Sequence, residues 1–249
     1  MSMNFEAIFF DLGDTLLYFD DDWPEIFFQA RQELLRSLQQ AGINLGPEFV
    51  EDFYQRMSAY YRERDTEFIE YTVKKVLNSI LEERGFRDVP EAILTNSLAD
   101  MHVITQAHWL PEPDALATLT QLRSRGYRLA LISNASDDPN TQVLVDKLGA
   151  RDLFEVISSS AVLGVRKPNP KIFRDALERM NLPPEKVAMV GDTLGADILG
   201  AYNAGIFSIW IKRRADTAGN RAHSETIFPD AQIETLSELP GLLEKLATG

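Results

Sequence analysis

Apolar positions cluster in five short runs, at residues 7–10, 129–132, 155–157 after Phe154, 187–190 and 207–211. Each run is bounded by turn-forming or polar residues. Short, nearly continuous apolar runs of this kind predict strands buried on both faces. Helix-length segments lie between them, at residues 114–124, 140–148, 170–180 and 197–204. Strand alternating with helix predicts a parallel sheet covered by helices on both sides.

The first run is separated from the second by far more chain than one crossover needs. Residues from about 20 to about 104 contain no convincing strand. Helical spacing there predicts helices at 24–40, 47–64, 67–84 and 90–107, and Gly42, Gly46 and Gly85 stand at helix ends, where left-handed backbone is favoured. The pattern predicts an inserted helical unit with hinges near 18–22 and 110–114, and a final helix at 236–246. The fold expected is therefore α/β, a Rossmann-like parallel sheet core interrupted by an all-helical insert. Residues 1–19 and 108–249 form the core and residues 20–107 the insert.

Composition narrows the chemistry. The chain has 249 residues, 45% of them hydrophobic and 25% charged, ordinary for a globular protein. It has no cysteine, which excludes disulfides, a thiol nucleophile and thiolate metal sites. No apolar run approaches a membrane span, and the first ten residues lack the basic start of a signal peptide. A cytoplasmic protein is expected. The formal net charge of −13 disfavours nucleic acid and anionic membranes as partners.

Chemistry-bearing residues follow the strand-like runs, where open α/β sheets bind ligands. Asp11-Leu12-Gly13-Asp14-Thr15 follows the first, Ser133-Asn134 the second, and Gly191-Asp192-Thr193, then Asp197, the fourth. Arg166-Lys167-Pro168-Asn169-Pro170 precedes a helix. Singly, each has a plainer reading. Asp11 suits a helix N-cap, Ser133-Asn134 a turn, Lys167 a solvated surface, and Asp192 with Asp197 a loop acid and a cap. Together they require four coincidences at strand ends.

In this order and spacing the four segments resemble the motifs of the haloacid dehalogenase-like superfamily, and a helical insert after the first motif is similar to that family's type-1 cap. The resemblance covers the whole core. It implies a hydrolase, most simply a phosphatase acting on a small phosphorylated metabolite through an aspartyl-phosphate on Asp11. It further implies Mg²⁺ held by Asp11, the Gly13 carbonyl and Asp192, with Asp197 acting through water or from behind the ligands. Ser133, the Asn134 backbone N–H and Lys167 bind the phosphate, and Lys167 also serves Asp11. The cation and Lys167 supply the local positive charge that an acidic protein needs.

One position departs from the family. Its phosphatases carry a second Asp two residues after the nucleophile, as general acid and base; here that residue is Gly13. Asp14 is offset by one, and in an extended segment that offset reverses the side chain. The role is therefore not carried to Asp14 unless a turn re-aims it. Weak action on poor leaving groups is expected. Two alternatives stay open: a haloacid dehalogenase, which needs no cation, and a non-catalytic phospholigand-binding protein on the same fold. The remaining candidates have bland readings. His102, His108 and His223 read as structural or surface residues, residues 20–22 as a solvated acidic hinge, and residues 60–64 as an exposed helix face in preference to a substrate-holding one. Trp23 either lines an entrance or packs the insert.

Overall fold

The computed structural model describes residues 3–249; residues 1 and 2 of the expected core lie outside the described residues. Eight strands occur among the described residues: β1 (Ala7–Phe10), β2 (Leu17–Phe19), β3 (Trp109–Pro111), β4 (Arg128–Ser133), β5 (Phe154–Ser159), β6 (Val187–Gly191), β7 (Phe207–Ile211) and β8 (Ala231–Ile233). Six form one parallel sheet in the order β5-β4-β1-β6-β7-β8. The chain is thus a Rossmann-like α/β core, and β1 sits at its centre between β4 and β6.

Helices cover both faces: α1 (Trp23–Gln40), α2 (Glu48–Glu67), α3 (Val73–Glu83) and α4 (Glu91–His108) lie in the insert, and α5 (Ala115–Ser124), α6 (Asp138–Leu148), α7 (Ser160–Leu163), α8 (Pro170–Met180), α9 (Leu199–Ala204), α10 (Ala218–His223) and α11 (Leu239–Thr248) in the core. The period-two geometry of a strand explains why β1 is apolar throughout. Ile8 and Phe10 pack with Leu131 of β4, Val190 of β6 and Leu119 of α5, while Ala7 and Phe9 pack on the other face with Ile132, Met189 and Phe173 of α8.

The insert has a core of its own. Leu34 and Leu38 of α1, Phe49 and Phe53 of α2, Leu77 and Leu81 of α3, and Leu98 of α4 form a cluster separate from the two sheet layers. No helix among the described residues is long and apolar enough to cross a membrane.

Several elements differ from the sequence expectation. The helix expected at 67–84 is divided: α2 ends with Phe68 in left-handed backbone at φ +53°, and α3 starts at Val73 after Thr72, whose hydroxyl accepts from the Lys75 N–H. Between them Ile69 bridges to Val165 of the core. Gly42 and Gly85 adopt the left-handed region expected of them, at φ +86° and +89°, but Gly46 does not. The helix expected at 197–204 opens with a π-helical turn, Leu194–Ile198. The final helix runs on to Thr248 after a short turn, Leu236–Glu238.

The short strands β2, β3 and β8 escaped the sequence reading, being three residues each and lacking a legible alternation. β2 and β3 pair antiparallel, Phe19 opposite Trp109 and Leu17 opposite Pro111, exactly where the chain leaves and re-enters the core. This ribbon brings the two ends of the insert together beside the first motif.

Candidate active site

Three parallel strands deliver the central residues to one sheet edge. Asp11 follows β1 and donates its backbone N–H to the Val190 carbonyl at 3.0 Å. Ser133 closes β4 and Asp192 follows β6. Asp11, Ser133, Lys167, Asp192 and Asp197 are all buried, and with Gly13 and Asn134 they line one cleft of ≈ 400 Å³. The sequence motifs therefore meet in space.

Lys167 is the hub. Its ammonium donates to Asp11 Oδ1 at 2.5 Å, Asp197 Oδ1 at 2.6 Å and the Ile132 carbonyl at 2.8 Å. Three donors meet three acceptors. Burial alone would lower the Lys167 ammonium, but Asp11 and Asp197 overcome that and hold it above its ordinary value. The Asn134 side chain brackets the Lys167 backbone, accepting from its N–H at 2.8 Å and donating to its carbonyl at 3.0 Å. The amide of Asn134 thus fixes the lysine and is not turned toward a ligand.

Asp11, Asp192 and Asp197 each offer a carboxylate oxygen within 4.8 Å of the others. Burial pushes the Asp11 carboxyl up to about 6, with Lys167 pulling against the rise and Asp197 adding to it. Asp192 is held well above the ordinary range by burial, then by Asp197, Asp11 and Asp14. Its oxygens meet only hydroxyls, Thr15 at 3.5 Å and Thr193 at 3.2 Å, and no ion pair reaches it among the described residues. Three buried carboxylates against the single charge of Lys167 fit a hard divalent cation on oxygen ligands.

The fourth motif needs its glycine for space. A Cβ on Gly191 would lie 2.3 Å from the Asp197 carboxyl carbon. Asp197 folds back over the strand end, where its other oxygen accepts from the Thr193 N–H at 3.0 Å. The π-helical turn widens the backbone there and carries Asp197 to Lys167.

The backbone around Gly13 corrects the extended-segment expectation. Asp14 lies in left-handed backbone at φ +56°, in a turn that closes with Leu16 and Leu17 N–H groups on the Leu12 carbonyl, both at 2.9 Å. The one-residue offset therefore does not reverse its side chain out of the site: Asp14 lines the same cleft as Asp11. Burial raises its carboxyl, against the pull of Arg214 and with the push of Glu112.

The insert also supplies residues to the site, of which Phe27 and Thr105 carry no sequence signal. Tyr61 and Arg64 of α2, His102 and Thr105 of α4, and Trp23 and Phe27 of α1 line the cleft. The exposed-face reading of residues 60–64 holds for Tyr61, Arg62 and Glu63, but Tyr60 is buried, and Arg64 lies 3.9 Å over the Tyr61 ring. His102 is a cleft residue 3.7 Å from Asp137, while His108 packs at the ribbon against Phe19 with Asp21 at 3.1 Å. Trp23 takes the entrance alternative. The tyrosine and arginine cluster on α2 and Trp23 near the hinge are the sequence signals of the insert's contribution.

A second linkage joins insert and core. Glu70, from the extended segment after α2, accepts from Tyr60 Oη at 2.5 Å, Ser160 Oγ at 2.7 Å and Arg166 at 3.1 Å. Backbone bonds flank it, Glu70 N–H to Gly164 and Arg166 N–H to Phe68, both at 3.1 Å. The residue before Lys167 is therefore held by the insert.

Residues 5–205 match the haloacid dehalogenase-like hydrolase family. Among curated relatives, glyceraldehyde 3-phosphate phosphatase of Methanothermobacter thermautotrophicus is 30% identical over 239 residues, covering 96% of this chain and 99% of the relative. Pyrimidine 5′-nucleotidase YjjG of Escherichia coli is 29% identical, covering 98% of this chain and 100% of its own. Among solved structures, 2-haloacid dehalogenase from Pseudomonas syringae pv. tomato superposes with a TM-score of 0.72 at 27% identity, covering 97% of this chain and 99% of the other.

Proposed function

The chain belongs to the haloacid dehalogenase-like hydrolases and is an enzyme of that family, and on that premise we propose that it is a magnesium-dependent phosphatase with Asp11 as nucleophile. The observation that carries the proposal is the buried cluster of Asp11, Asp192 and Asp197 against the single ammonium of Lys167. Residues 20–107 serve as the cap over this site, joined to the core formed by residues 1–19 and 108–249.

Asp11, the Gly13 carbonyl and Asp192 would hold the ion, with Asp197 behind them. The ion's part is to screen the repulsion between a carboxylate and a phosphate dianion. Lys167 orients Asp11 through its 2.5 Å contact and presents its charge to the phosphoryl oxygens. The Ser133 hydroxyl and the Asn134 N–H bind the same oxygens. Asp11 attacks phosphorus and expels the ester oxygen, and water then releases phosphate from the aspartyl group. Asp197 positions Lys167 and closes the turn at Thr193.

The named relatives act on small phosphorylated molecules, a triose phosphate and a nucleotide among them, which supports a phosphate monoester as substrate. The dehalogenase among the solved structures favours one second reading, attack of Asp11 on carbon in a haloacid. That chemistry involves a single substrate carboxylate and leaves the burial of Asp192 without a purpose.

The test is phosphate release from p-nitrophenyl phosphate, with and without magnesium, in the wild type and Asp11→Asn. Magnesium-dependent release lost in the variant supports the phosphatase. Halide release from a 2-haloacid without added magnesium would favour the dehalogenase. Absence of both activities would point to a phospholigand-binding protein.

A further inference from the structure

The place next to Gly13 is taken by an indole. A Cβ built on Gly13 would lie 3.3 Å from Cη2 and 3.7 Å from Cζ3 of Trp109. A longer side chain at this position must turn away from the ring or displace it. The ribbon puts Trp109 there, since its β3 pairs Trp109 with Phe19 of β2. The ring is then fixed by two edge-on neighbours, Trp23 at 5.5 Å and 81° and Phe19 at 5.5 Å and 82°.

Trp23 is itself stacked, on Phe19 at 4.1 Å and on Phe27 at 4.9 Å. Trp23, Phe27 and Trp109 all line the cleft that holds Asp11. Yet Trp23 keeps 43% of its surface exposed. A rigid aromatic wall, part of it uncovered, thus stands beside the nucleophile. Aromatic faces of this kind favour planar π systems in offset or edge-on contact.

The chemistry of departure points the same way. With glycine at position 13, the ester oxygen leaves without a carboxylic acid from that residue. An aryl oxide is a tolerable anion, since a phenol such as tyrosine has a pKa of about 10. An alkoxide is far more basic, nearer to hydroxide, whose parent water has a pKa of about 15.7.

We propose that the cleft selects phosphate esters of planar aromatic alcohols, with the ring seated on the wall of Trp23 and Trp109. This rests on the phosphatase reading and deepens it. In the reaction a bond forms between an Asp11 oxygen and phosphorus as the aryl oxygen–phosphorus bond breaks. The electron pair leaves on the aryl oxide, which takes its proton from solvent. Water then attacks phosphorus, frees Asp11 and gives up its proton to solvent, leaving inorganic phosphate.

The experiment compares phenyl phosphate with cyclohexyl phosphate, which match in size but differ in planarity and in leaving-group basicity. Binding is measured by calorimetry in Asp11→Asn, alone and combined with Trp23→Ala, chosen because that ring is partly exposed, or with Trp109→Ala. The expected result is tighter binding of the phenyl ester by up to about tenfold, the scale of one aromatic contact. Trp23→Ala should remove most of that preference. Wild-type turnover should favour the phenyl ester by about 10²-fold or more, the scale of a missing general acid. Equal binding and equal turnover of the two esters overturn the inference and leave the phosphatase reading standing. A phenyl preference in binding, with neither ester turned over, supports the aromatic seat and overturns the phosphatase reading instead.

Discussion

Glu70 of the insert and Arg166 of the core meet at 3.1 Å, one residue before Lys167. The Glu70 side chain is fully buried, and Ser160 and Tyr60 complete its hydrogen bonding. The insert is therefore joined to the core at a third place besides the two strands of the ribbon. Closure of the insert over the cleft has to keep this joint or break it, which ties the setting of Lys167 to the position of α2.

Removing one partner of a buried ion pair leaves the other charge uncompensated, at a cost of about 3–5 kcal/mol. Glu70→Ala should therefore lower stability by that amount in urea unfolding followed by circular dichroism. Glu70→Gln, which removes the charge but keeps one acceptor oxygen for either Tyr60 or Ser160, should cost less. A loss under about 1 kcal/mol in Glu70→Ala would show that the joint does not hold the two parts together.

Asp14 lines the cleft but faces Arg214 and Glu112. Arg214 is itself engaged by Glu112 at 2.8 Å. Asp14→Gly, which keeps the left-handed turn, is expected to change turnover of both p-nitrophenyl phosphate and an alkyl phosphate by less than about tenfold, short of the 10²–10⁴ of general acid–base catalysis. A larger loss, confined to alkyl esters, would make Asp14 the proton donor.

The acid cluster sets a pH dependence with a definite sign. Asp11 is raised from 3.8 to about 6 in the folded protein, and Asp192 is also raised. A raised carboxyl binds its proton more tightly folded than unfolded, so its contribution to stability is full below about pH 4 and lost as pH rises through about 6. Magnesium competes with those protons and restores stability where they are gone. Melting curves should therefore show a larger magnesium-induced rise at pH 7.5 than at pH 5. An equal rise at both would separate the cation from Asp11 and Asp192.

Lys167 bridges two buried carboxylates with its single charge, and in the proposed mechanism it presents that charge to the phosphate. Lys167→Met should reduce p-nitrophenyl phosphate turnover by about 10²–10³, the scale of losing one preorganised electrostatic contact. Steady-state kinetics at saturating magnesium would measure it. Retained turnover would remove Lys167 from the chemistry.

The sequence was most informative where burial leaves little choice. The runs at 7–10, 187–190 and 207–211 lie within strands because both faces of a central parallel strand must be apolar. Asp11, Ser133 and Gly191-Asp192 stand directly after the runs at 7–10, 129–132 and 187–190, and the structure gathers Asp11, Ser133 and Asp192 with Lys167 into one cleft. Position along the chain says less about residues aimed across it. Trp109 reaches Gly13 through a ribbon of three-residue strands, too short for a period to show. Glu70 acquires its partners only when residues 90 and 96 positions away fold against it. The direction of Asp14 is not legible in the sequence, because it depends on whether the segment stays extended or turns, and a positive φ at Asp14 sets the turn.

The most direct measurement is the chemical state of Asp11 during turnover. Enzyme mixed with magnesium and p-nitrophenyl phosphate is quenched in acid, digested, and the peptide holding Asp11 weighed by mass spectrometry. The expected result is a phosphoryl adduct on Asp11, present only with magnesium, removed by hydroxylamine and absent in Asp11→Asn. Turnover with no adduct on Asp11, or an adduct on another residue, would contradict nucleophilic attack by this carboxylate.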